Sequence, residues 1–339
     1  MSIKPDAFQP SLDPSRGASA VQNWQQAAAL NLLDLELLHN FSTSTCYTLH
    51  NDPTLKTLWR INVPQLGLDY DFVMRGILAL SALHLAKSRP EHKERYVSLA
   101  LLHSAAGLRA VTAILPNITK ENCSAIYLFS ALTFILALAT PRKPGDLLIM
   151  GDSGPAEWLT LFRGVHVIVQ SSQGNIESGI LGPMFTSGAR RSQLRDAYAS
   201  EHSTDKDQLG YLRYAIQQTV TNQHILQIYM NTINELQISF TAAYSGVFDA
   251  LESTDVFIFL FRVSEDYLVL LEDRTQESLA IFAYFAVLAK RLEGNWWCEG
   301  WSDYLMSKIY TLLDDEHKLW IRWPMEETGW IPPRETYHK

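Results

Sequence analysis

The densest run of chemically distinctive side chains lies near the C-terminus. Trp296-Trp297-Cys298-Glu299-Gly300-Trp301 is followed by Leu319-Trp320-Ile321-Arg322-Trp323-Pro324-Met325-Glu326, and six of the nine tryptophans fall between 296 and 330. Clustered tryptophans support two kinds of structure. They can lock helices together by burying large ring areas, or they can wall a concave apolar ligand site. On the second reading Phe282, Phe285, Trp297 and Trp301, on or between two expected helices, line a candidate pocket. Arg322, between Trp320 and Trp323, is placed for a cation–π contact or a buried ion pair.

Catalytic constellations do not emerge elsewhere. The chain carries no GxSxG, no P-loop, no GxGxxG after a strand and no HExxH. The glycine-bearing stretch 145–154 lacks the GK[ST] that phosphate chemistry requires. His84 and His103 sit on apolar helical faces and read as core residues with one satisfied nitrogen. His39 is five residues from Asp34, off the i, i+4 spacing that would pair them on a helix. Glu277, Glu293 and Glu299 flank the tryptophans without acid/base spacing. Catalytic residues, metal ligands and cofactors are therefore expected to be absent. Cys46, Cys123 and Cys298 are too few and too far apart for a six-cysteine zinc cluster, and read as free thiols in a reducing compartment.

Charge bounds the partners. With 28 basic and 36 acidic residues the net charge is −8, which disfavours a phosphate-binding surface. Arg190-Arg191 reads as a solvated pair in a charged connector. The stretch 1–23 is polar, holds three prolines and has no apolar signal region, so it reads as a disordered leader. Residues 123–139 carry no charge and approach bilayer-spanning length. Without flanking Lys/Arg asymmetry they read as a helix buried on all sides, and no membrane span is expected.

The elements that must position these residues are helical throughout. Three- and four-residue apolar spacing recurs from Trp24, over 71–87 and over 90–115. Thr119 and Asn122 cap the buried helix that follows. Residues 140–155 read as a loop, 157–171 as helix, 172–189 as glycine-rich and 190–208 as an exposed connector. One long helix is expected over 209–238, and buried helix over 249–271. Helices over 276–292, 299–313 and 316–320 complete the chain. No sustained alternation or hairpin signal occurs. The reading is an all-α chain: one large domain of about ten to twelve helices over 24–330, with a tail at 331–339.

Three blocks carry a resemblance. Met74 to Ala86 with Leu35-Leu37-Leu38-His39, then Trp158 to Val165 with Gly179 to Pro183, then Glu277 to Leu288 with Trp296-Trp297, Gly300-Trp301 and Trp320 to Pro324 occur in family order. Together they resemble the fungus-specific regulatory domain of binuclear-zinc-cluster transcription factors, of the sterol-uptake-control type. That resemblance implies a helical effector-binding domain in the nucleus, shuttling with the cytoplasm, and a sterol-like or other apolar small molecule as ligand. The zinc-cluster module of such factors has no counterpart in these residues. Direct sequence-specific DNA binding is therefore not expected, and the implied partner is a DNA-binding transcription factor. The implied role is regulator or co-regulator of a fungal pathway, with secondary-metabolite biosynthesis the natural setting. The alternative is an enzyme on a repurposed regulatory fold, cyclase-like, acting on a polyketide or terpenoid.

Overall fold

A computed structural model describes residues 31–142, 145–151, 154–171, 177–201 and 208–333. The leader 1–23, the helical pattern from Trp24 to residue 30 and the tail beyond 333 lie outside the described residues. The chain is all-α, with sixteen α-helical segments among the described residues and one two-residue strand pair, Met150–Gly151 with Gly154–Pro155.

The axis of the fold is a helix that is apolar on every face. Gln276–Lys290 buries all of 278–289. A continuous apolar run at helical length is the pattern of a fully surrounded helix. Its one small polar side chain is satisfied, since Ser278 Oγ donates to Thr275 O at 2.8 Å. Tyr267 OH donates to Ser278 O at 3.0 Å, tying in a neighbouring helix.

The N-terminal part builds one side of the molecule. It comprises α1 (Leu32–Thr43), α2 (Pro53–Thr57), α3 (Val63–Asp69), α4 (Asp71–Ser88), α5 (Lys93–Ile114) and α6 (Cys123–Ala139). Asp52 Oδ1 caps α2 through Thr54 N at 2.7 Å, ahead of Pro53. That matches the preference for proline at a first helical position. A π-helical turn, Leu58–Asn62, joins α2 to α3. Helix α6 buries ten of its 17 residues, as its uncharged sequence suggested. The stretch 90–117 is the one among the described residues with the length and apolarity of a membrane span. It contains α5, which rests on the core through Tyr96, Ala100, His103, Gly107 and Val111 and leaves Leu101 and Leu102 exposed.

The rest wraps the axis: α7 (Glu157–Ser171), α8 (Gly182–Glu201), α9 (Gly210–Thr219), α10 (Gln223–Tyr244), α11 (Ser253–Arg262), α12 (Glu265–Glu272), α13 (the axial Gln276–Lys290), α14 (Trp301–Leu312), α15 (Asp315–Trp320) and α16 (Arg322–Thr328). Segments outnumber the expected ten to twelve because capping residues cut long apolar runs. Asn222 Oδ1 accepts from His224 N at 3.0 Å and starts α10, so the expected helix over 209–238 is two helices. Ser264 Oγ caps α12 at 3.1 Å and divides 249–271 in the same way.

Two further expectations are corrected. The stretch 190–208 is not simply an exposed connector, because residues up to Glu201 belong to α8. Arg191 is not merely solvated either. Its Nε donates to Asp255 Oδ1 at 2.9 Å and its terminal nitrogen to Ala250 O at 2.9 Å, while its guanidinium lies 3.9 Å from the Phe248 ring centroid. The loop within 140–155 carries core residues Leu147 to Met150. Leu148 holds a left-handed backbone (φ 68°) there, pinned by Asp146 Oδ1 on its N–H at 2.8 Å and by Trp158 Nε1 on its carbonyl at 3.0 Å.

Candidate functional site: an aromatic cleft at the C-terminal end

The four residues singled out from sequence occupy different places. Phe282 and Phe285 stack on one face of α13 with centroids 5.4 Å apart, and Phe285 also stacks on Phe259 at 5.5 Å. Phe257 links them to Trp297, lying 6.1 Å from Phe285 and 6.0 Å from Trp297. All of these rings are closed into the core. Trp297 borders a space of about 20 Å³, shared with His50, Glu252 and Asn295. That volume suits about one water molecule. Trp301 stands apart at the start of α14. Its Nε1 donates to Leu138 O at 2.8 Å, and Arg142 lies 5.0 Å from its ring. It borders a separate cavity of about 430 Å³ with Leu136, Leu148 and Trp158.

The larger concavity lies one step further along the chain. A cleft of about 830 Å³ is bounded by Tyr211 and Gln208 beside α9, Tyr244 of α10, Tyr284 of α13, Leu319 and Trp320 of α15, and Arg322, Trp323, Glu326 and Glu327 of α16. Its size falls in the range of small-molecule sites. Three caps and turns set its wall. Asp314 Oδ1 accepts from His317 N at 2.8 Å and starts α15. Thr328 Oγ1 donates back to Pro324 O at 2.8 Å and finishes α16. Gly329 then takes a left-handed backbone (φ 69°), the position for which glycine carries no steric penalty, and Trp330 folds back to lie 5.3 Å from Tyr310.

Trp323 is the centre of the wall. Its indole stacks on Tyr284 at 5.5 Å and packs against Phe240 at 6.0 Å and Tyr244 at 6.4 Å. Offset rings at these separations attract beyond their area burial. The charged groups around the cleft are matched in pairs. Arg322 Nε bonds Glu326 Oε1 at 2.8 Å on the exposed surface, so neither a buried ion pair nor a ring contact forms there as the sequence suggested. The cation–π contact is made by Arg291, 4.0 Å from the Tyr244 centroid. Arg291 also lies 3.6 Å from Glu327 Oε1, to which Tyr244 OH donates at 2.8 Å. Burial pushes the Tyr244 phenol up to about 12, so it stays protonated as a donor at neutral pH.

None of the four residues singled out from sequence lines this cleft, although Trp320, Arg322 and Trp323 belong to the tryptophan-rich run that sequence drew out. Trp320 closes α15 and Trp323 lies in α16, so no single helical stripe marked the two as neighbours. Tyr211 and Tyr244 carry no local signal, because only tertiary packing brings α9 and α10 to the cleft.

His84 and His103 behave as core residues. His103 Nε2 lies 3.2 Å from Asp34 Oδ1, so Asp34 pairs with His103 rather than with His39. His84 stacks on Trp296 at 4.8 Å and bonds Thr45 Oγ1 at 2.9 Å. Burial lowers the pKa of both rings. Among the described residues no group of three His, Cys, Asp or Glu side chains is arranged to hold a metal ion.

No family model matches the chain. Among curated proteins it is 26% identical over 316 residues, 87% of its length, to a Zn(2)-C6 fungal-type transcription factor of Gibberella zeae, and covers 61% of that protein. It is 27% identical over 143 residues, 41% of its length, to Sterol uptake control protein 2 of Saccharomyces cerevisiae, covering 15% of it. It is 21% identical over 254 residues, 73% of its length, to the Zn(2)-C6 fungal-type transcription factor afumD of Aspergillus fumigatus, covering 65% of it. Its homologues are thus Zn(2)-C6 fungal transcription factors and sterol uptake control proteins, and it spans less than two thirds of each of these relatives.

Proposed function

We infer that this chain, a homologue of part of the fungal Zn(2)-C6 transcription factors, is a non-enzymatic transcriptional regulator or co-regulator acting in the nucleus, with shuttling to the cytoplasm. The match over 87% of the chain to such a factor carries the reading. Residues 24–330 form its regulatory domain. The net charge of −8 and three isolated cysteines favour DNA contact through a partner transcription factor rather than through these residues. The terminal cleft is its effector site for an apolar molecule, with occupancy altering the surface that α9, α15 and α16 present to the partner. A fungal biosynthetic pathway, such as one making a secondary metabolite, is its target.

Transcript and metabolite profiling of a deletion strain tests the role. Coordinated loss or gain of a gene set is expected. Unchanged transcripts with a single accumulating intermediate would overturn it in favour of an enzyme. Purified chain is expected to give no sequence-specific shift of promoter DNA at physiological salt, and a tight specific complex would remove the need for a partner.

A further inference from the structure

We propose that the terminal cleft takes a flat, fused-ring aromatic molecule bearing oxygen substituents, rather than an aliphatic polycycle or an organic cation. The proposal rests on the reading of the cleft as an effector site and adds the chemical class. Five ring systems, Tyr211, Tyr244, Tyr284, Trp320 and Trp323, bound the cleft against a single aliphatic side chain, Leu319. Aromatic clusters also occur in the core, around Phe257 and Phe285, but there the rings are closed in, whereas here Tyr211 and Trp323 keep surface open while Tyr284 and Trp320 back the cleft from within the core. Trp323 is half-buried and backed by Tyr284, which fixes the indole as a preorganised platform. Tyr211 is 55% exposed. Flat π-systems gain stacking energy on such faces that a saturated ring skeleton does not.

The polar groups select further. Arg322 is exposed and uses Nε for Glu326, and its two terminal nitrogens meet no acceptor among the described residues. With the Gln208 amide they offer donors to carbonyl, hydroxyl or phenolate oxygens. For a ligand ammonium the two carboxylates at the rim are each already faced by an arginine, which offsets their attraction. Glu326 is held by Arg322, Glu327 faces Arg291 and Tyr244 OH, and Arg291 already covers a face of Tyr244.

The test titrates the full chain with 1,8-dihydroxyanthraquinone and, separately, with ergosterol, following calorimetric heat and tryptophan fluorescence. One-to-one binding of the anthraquinone is expected, with weaker or no binding of the sterol. Tyr211→Leu, at an exposed position that leaves the core intact, is expected to weaken anthraquinone binding about tenfold, the scale of one lost stacking face. Trp323→Leu is expected to weaken it at least as much, with circular dichroism reporting that the helices persist. Sterol binding without anthraquinone binding would overturn the ligand class and leave the effector site standing. Binding of neither probe would overturn the effector reading itself. Anthraquinone binding unchanged by Tyr211→Leu would place the aromatic site elsewhere and overturn the proposal.

Discussion

At the scale of single residues, the most consequential polar side chain is Asp255, which has 2% of its side chain exposed. It accepts from Arg191 and from Glu252 N at 2.9 Å, so it closes a capping box on α11 while binding α8 to it. Breaking a fully buried pair costs roughly 3–5 kcal/mol, and Arg191 keeps a fifth of its side chain in water, so Asp255→Asn is expected to cost about 2 kcal/mol in urea denaturation. A loss near zero would show that α8 is held by apolar contacts alone. Beside it, Glu252 is buried and its only nearby histidine, His50, has a pKa lowered by burial. Burial pushes the Glu252 carboxyl above its ordinary 4.5, so the native state favours the protonated form. Ionisation therefore weakens the fold as pH rises through the raised value, and the handicap vanishes below 4.5. Glu252→Gln is expected to be neutral or stabilising at pH 7.5, with its advantage shrinking as pH falls toward 4.5. A variant less stable at pH 7.5 than at pH 5, relative to the parent, would contradict that sign. None of this network was legible in sequence. Arg191 lies 64 residues from Asp255, and a doublet of arginines in a polar stretch gives no sign of a distant carboxylate.

At the scale of elements, the existence of most helices was legible, α8 being the exception, and helix boundaries were not. The periodic apolar stripes of α4 and α5 and the continuous apolar run of α13 are strong local signals, because burial demands them. The division of 209–238 and 249–271 turned on Asn222 and Ser264, whose side-chain caps compete with helix continuation only when the following turn finds its own packing. The contact between α5 and α6 supplies a sharper test. A Cβ added at Gly107 would meet Phe129 Cε2 at 2.8 Å, and Phe129 is a fully buried ring with no room to retreat. Alanine would gain about 1 kcal/mol of helix propensity but lose roughly 1–3 kcal/mol to overpacking. Gly107→Ala is therefore expected to destabilise by about 1 kcal/mol in chemical denaturation. A stabilised variant would mean that α5 moves away from α6 at little cost.

At the scale of the whole molecule, the tryptophan pair that first drew attention joins parts of the chain far apart in sequence. Trp296 Nε1 donates to Thr48 Oγ1 at 2.8 Å across 248 residues, while Trp297 packs on the opposite side against Phe257. Lys87 and Arg142 both bond Glu299, fastening α4 and the loop after α6 to the same turn. This is why the cluster is mostly core: its position between two bodies of helices requires large rings with one polar handle each. Contacts of such sequence separation cost loop-closure entropy that only packing on both sides repays. Residues 31–333 are accordingly expected to unfold as one unit, even though chains of this length often populate intermediates. Far-ultraviolet circular dichroism and tryptophan fluorescence should give coincident urea transitions. Trp296→Phe, which keeps the ring and removes the bond to Thr48, should lower the midpoint by the equivalent of about 1 kcal/mol while leaving the transitions coincident. If the variant instead separates them, the N-terminal helices and the terminal cleft are two units whose cooperativity depends on Trp296, and a ligand in the cleft would then act on one of them without the other.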